Sequence, residues 1–81
     1  MSIFIDNSKK EVQIRFSKAF YNEVIVKEAL IEFANICKVQ FKIQPQVIEV
    51  YLAPLDFNLL NLVGYEFSNY VLGLMKNKGV V

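Results

Sequence analysis

The chain has no histidine and no tryptophan, and only one cysteine, two prolines and three glycines among its 81 residues. The missing histidine removes the commonest general acid–base and a leading metal ligand. With Cys37 alone, a zinc or iron–sulfur site would rest almost wholly on carboxylates. Asp6, Glu11, Glu23, Glu28, Glu32, Glu49, Asp56 and Glu66 show no motif spacing. Gly64, Gly73 and Gly79 are too scattered to build a phosphate-cradling loop. These absences argue against an enzyme, and no cofactor or metal is expected.

Other classes are disfavoured in the same way. A lone cysteine forms no internal disulfide, and a small secreted domain without such staples is unusual. The stretch Met1-Ser2-Ile3-Phe4-Ile5-Asp6 lacks the charged and long apolar regions of a signal peptide. No apolar run approaches the roughly 18–20 residues that cross a bilayer. A cytoplasmic protein with no membrane partner is expected. Nine basic and eight acidic residues leave a net charge of +1, with no cluster of four or more Lys/Arg. A nucleic-acid binder normally carries a basic stripe, so none is expected here.

What is present is apolar. Hydrophobic residues make up 54% of the chain and aromatics 14%, enough for one packed domain over residues 1–81. They also exceed what one small core hides, which suggests a covering partner. Val12, Ile14 and Phe16 alternate with Gln13 and Arg15, the period of a half-buried strand. Ile3 and Ile5 alternate likewise before a polar turn at Asp6-Asn7-Ser8-Lys9-Lys10, as an extra strand or a frayed end.

From about Asn22 to Ile36, Val26, Ala29, Leu30, Phe33 and Cys37 share one helical face. Cys37 then reads as a buried small hydrophobe at the helix end. The Phe20-Tyr21 pair reads as a staple of the helix start, with a binding role for the Tyr21 hydroxyl as the alternative. Val39, Phe41 and Ile43, then Ile48, Val50 and Leu52, form a hairpin around Pro45. A second helix, capped by Asp56 or Asn58, runs to about Lys76 with a stripe at Leu60, Val63, Phe67, Val71 and Leu74. Gly79 caps its end.

The order β-α-β-β-α predicts a two-layer α+β fold. Its three-stranded, mostly antiparallel sheet is covered on one face by two helices, a truncated ferredoxin-like arrangement. Two surfaces are then candidates for contacts. Val24 and Ile31 on the first helix, and Leu62, Tyr65 and Leu72 on the last, point away from the core. They read either as scattered surface apolars or wide-angle packing between the two helices, or as a self-association or partner surface. If the hairpin's first strand is an edge, Lys38, Gln40 and Lys42 lie on its open face beside Glu49 and Tyr51. They read either as protection against aggregation or as a site for an extended, acidic peptide. On the second reading Gln40 supplies an outward backbone donor. An RNA-binding reading has Arg15, Lys38 and Lys42 but few stacking aromatics beyond Tyr51.

The stretch from Phe16 through Tyr21, Val26-Lys27-Glu28-Ala29 and Phe33, with Glu66-Phe67-Ser68-Asn69-Tyr70-Val71-Leu72, carries a family pattern. Over roughly residues 12–76 it resembles the His-Xaa-Ser system protein HxsD family. Members typically read Phe-x-x-x-x-Tyr, an Ile-Lys-x-Ala helix, a hairpin and a final Glu-Phe-x-Asn-x-x-Leu helix; Val26 stands here for the Ile. The resemblance implies a small accessory protein of a radical S-adenosylmethionine peptide-modification system. Such a protein is a non-catalytic adaptor presenting a ribosomally made precursor peptide to its modifying enzyme. The alternative is a structural homodimer or a subunit of a larger assembly.

Overall fold

The computed structural model describes residues 1–79. Its elements are strands β1 (Ser2–Asp6) and β2 (Glu11–Ser17), helix α1 (Glu23–Phe33), and strands β3 (Cys37–Ile43) and β4 (Val47–Pro54). A 3₁₀ turn (Phe57–Leu59) and helix α2 (Val63–Asn77) complete it. The sheet has four strands in the order β1-β2-β4-β3, every neighbouring pair antiparallel. The three-stranded sheet expected from the sequence is therefore corrected to four. The Ile3/Ile5 run is a full strand, because the Asp6 carboxylate accepts from the Ser8 and Lys9 backbone N–H groups and folds β1 back onto β2. β2 and β3 each pair antiparallel with β4, so they run parallel to one another on either side of it.

Both helices lie on one face. Val12, Ile14 and Phe16 of β2 and Ile48, Val50 and Leu52 of β4 are fully buried beneath them. Phe33 of α1 meets Phe67 and Tyr70 of α2 edge-on, with ring centroids 5.0 and 5.7 Å apart. The seam between the helices ends at an exposed ion pair, Lys78 Nζ to Glu28 Oε1 at 3.5 Å. At the other flank α2 approaches the sheet at Gly64, where a Cβ would lie 2.9 Å from Val12 Cγ1 and 3.1 Å from Ile3 Cγ2.

Four local readings change. Cys37 is buried as expected, but it opens β3 instead of closing α1. The helix stops at Phe33 and a turn at residues 34–36 intervenes. The Phe20-Tyr21 staple is Tyr21 alone: its ring packs 4.9 Å from Phe16, whereas Phe20 is 76% exposed. The Asn22 side chain caps α1 by accepting from Val24 and Ile25 N–H. Asp56 caps only the 3₁₀ turn, and α2 starts at Val63 without a side-chain cap. Gly79 does close α2, with φ at +70° and its N–H donated to the Lys76 carbonyl.

Candidate functional site

Among the described residues β3 pairs with β4 alone and forms one edge of the sheet. Which of its backbone groups face outward follows from two bonds that flank the pairing. Gln44 N–H donates to the Val47 carbonyl, and Leu55 N–H donates to the Ile36 carbonyl. Both pairs share the register that sets Gln40 opposite Tyr51. Hydrogen-bonded pairs alternate along an antiparallel ladder. Lys38, Gln40 and Lys42 therefore direct N–H and C=O inward to β4, while Val39, Phe41 and Ile43 present theirs to the open side. This corrects the expected outward donor at Gln40.

The helix-side flank of this edge is apolar and incompletely roofed. An 11-residue α1 is only ~16 Å long, against ~24 Å for the seven residues of β3. Burial consequently declines along the strand: Cys37 is buried, Val39 half-buried, and Phe41 is 46% exposed. A cleft of about 460 Å³ opens between helix and strand, lined by Lys27, Leu30, Ile31, Ala34, Val39 and Phe41. Lys27 Nζ stands 5.8 Å from the Phe41 ring centroid at its rim. Sequence reasoning missed Phe41, Ala34 and Lys27 as parts of a surface. The period-2 pattern marks Phe41 as inward-facing but carries no information on where the roof ends.

The opposite flank is polar, and all five residues expected there share it. Lys38, Gln40 and Lys42 are exposed on the open sheet face, with Tyr51 and Glu49 beside them on β4. Glu49 is already engaged. It accepts from Gln13 Nε2, Gln44 Nε2 and the Tyr51 hydroxyl, each at 3.3 Å, and Arg15 Nε lies 3.6 Å away. Partial burial, then the Glu49 carboxylate, push the Tyr51 phenol above its ordinary pKa. Lys42 Nζ lies 5.9 Å from the Tyr51 ring centroid and makes no ion pair within the described residues.

The helical residues do not converge. Ile31 lines the α1–β3 cleft, and Val24 lies two turns before it on the same exposed face. Leu62 borders a separate pocket with Phe33, Ile36, Leu59, Val63 and Glu66, where the end of α1 meets the start of α2. Tyr70 faces α1, which turns Tyr65 and Leu72 toward the outer flank of α2, on the β1 side. The expected self-association set is thus split between two flanks, with Val24 and Ile31 on the β3 side and Tyr65 and Leu72 on the β1 side, and Leu62 at the start of α2.

Among the described residues no group of three or more His, Cys, Asp or Glu side chains is placed to hold a metal, and no helix is long and apolar enough to cross a membrane. The Cys37 thiol is pushed above its ordinary pKa by burial, which suppresses the nucleophilic thiolate. No family model, no curated protein and no solved structure matches the chain.

Proposed function

We propose that this chain is a non-catalytic adaptor that binds an extended peptide along β3. Drawing on the resemblance to the HxsD family, the peptide is a ribosomally made precursor, and the adaptor presents it to a radical S-adenosylmethionine enzyme in the cytoplasm. The split arrangement of β2, α1 and β3 around β4 is read as a truncated ferredoxin-like fold carrying an additional strand. A free, buried thiol fits a reducing compartment.

The observation that carries the reading is the β3 edge itself. Its unpaired N–H and C=O groups at Val39, Phe41 and Ile43 offer a template for strand addition, which gives affinity with little demand on side chains. Lysines alone would only guard such an edge. The adjoining apolar cleft is what favours binding over protection.

The test looks for a short precursor peptide and a radical enzyme among the neighbouring genes, whose absence would count against the reading, and pairs the chain with them. Amide exchange at Val39, Phe41 and Ile43 should slow when the precursor is added, and the enzyme's turnover of precursor should rise. Phe41→Pro removes an outward donor yet leaves the inward ladder of Gln40 and Lys42 intact, and should weaken binding far more than Phe41→Ala. Precursor bound with no slowing on β3, or turnover indifferent to the chain, would overturn the proposal.

A further inference from the structure

We infer that the segment β3 accepts alternates acidic and apolar residues, with acidic side chains meeting Lys38 and Lys42 and apolar ones entering the α1–β3 cleft. The inference rests on the strand-addition reading and specifies the partner's chemistry.

A strand added to β3 continues its pleat, so the guest's side chains alternate between the two faces. Those level with Val39, Phe41 and Ile43 project to the helix side. There they meet the apolar walls of Leu30, Ile31 and Ala34. Those level with Lys38, Gln40 and Lys42 project to the open face. There the two ammonium groups are exposed, and the neighbouring carboxylate, Glu49, is held by Arg15, Gln13, Gln44 and Tyr51. A guest with lysines on that face meets like charge, and cross-strand like pairs are destabilising. A second copy of this chain is disfavoured for the same reason. The two-fold register that overlaps all of residues 37–43 sets Lys38 of each copy opposite Lys42 of the other. The edge therefore selects a foreign strand that carries carboxylates on one face and apolar groups on the other.

The experiment uses the full chain and three synthetic peptides of about ten residues, the upper end of ordinary strand lengths and enough to span β3. One alternates Glu and Leu, one has the same composition in two blocks, and one alternates Lys and Leu. Affinity is read by fluorescence anisotropy, and location by amide exchange. The alternating acidic peptide should bind about five- to tenfold tighter than either control, and should slow exchange at Val39, Phe41 and Ile43. Its advantage over the lysine peptide should shrink as salt rises. Lys38→Glu with Lys42→Glu should invert the preference between the two alternating peptides. Ile31→Glu, at a side chain 74% exposed, should leave the chain folded and weaken the acidic peptide severalfold.

Equal binding of the block and alternating peptides, or no binding of any of the three, overturns the inferred pattern. If a native precursor still slows exchange on β3, strand addition stands and only the partner chemistry is wrong. If that precursor binds while leaving β3 unprotected, both fall together.

Discussion

Cys37 is a thiol with a packing role. It is 3% exposed, lies opposite Pro54 at the start of the β3–β4 ladder, and is raised in pKa by burial. The folded state therefore favours the protonated form. That contribution is fully present below the ordinary thiol pKa of about 8.5 and is lost as pH rises through the higher folded value. Stability toward urea should accordingly decline above pH ~8.5 more steeply in the wild type than in Cys37→Ala. The comparison separates Cys37 from Tyr51, whose phenol is also raised and titrates in the same direction. A thiol reagent should label the native chain slowly and the urea-unfolded chain at once. Fast labelling in the native state would show the thiol to be accessible and return Cys37 to the list of reactive groups.

At the scale of elements, two glycines of α2 make opposite predictions. Gly64 is buried against β1 and β2, and a Cβ there meets side-chain methyls at 2.9 and 3.1 Å. Val12 is wholly buried and has little room to yield. Gly64→Ala should destabilise by about 1 kcal/mol, because overpacking of ~1–3 kcal/mol exceeds the ~1 kcal/mol gained in helix propensity. Gly73 lies in the same helix with open space around it. Gly73→Ala should stabilise by about 0.5–1 kcal/mol. Chemical denaturation of both variants checks the pair, and equal shifts would contradict the close approach at Gly64.

What the sequence reveals at this scale depends on period. β2 and β4 are legible because Val12, Ile14 and Phe16, and Ile48, Val50 and Leu52, are all buried on one face. Helix ends are less so. A four-residue step from Phe33 to Cys37 fits a helix as well as a turn into a strand, and the apolar residues Leu59, Leu60, Leu62 and Val63, interrupted by Asn61 alone, conceal the break before α2. The candidate site is half legible. The edge position of β3 and its open-face lysines follow from strand order and alternation. The direction of its backbone groups does not, because it depends on the register with β4, which the bond between Gln44 and Val47 sets. The cleft escapes the sequence for another reason: it reflects the shortness of α1 relative to β3.

For the molecule as a whole, charge decides how its open edge behaves. The outer edge of β3, bearing Val39, Phe41 and Ile43 on one side, is a template for self-pairing. In the fully overlapped two-fold register, Lys38 faces Lys42 across the junction twice, which opposes that pairing. Reversing both lysines preserves the repulsion, since carboxylates then face carboxylates. Reversing one does not. In Lys42→Glu the new carboxylate of each copy lies opposite Lys38 of the other, and two repulsive pairs become two attractive ones. Each cross-strand pair is worth roughly 0.2–1 kcal/mol, so the swing over both pairs amounts to about 1–4 kcal/mol. Lys42→Glu alone should therefore associate markedly more strongly than wild type or the Lys38→Glu, Lys42→Glu double variant, and its dimer should weaken in high salt. Sedimentation equilibrium across a salt series reads all three. If the apolar outer flank of α2 instead governs association, Tyr65→Glu with Leu72→Glu dissolves the dimer and Lys42→Glu leaves it unchanged. Since these residues and β3 lie on opposite flanks of the molecule, the two outcomes cannot be confused.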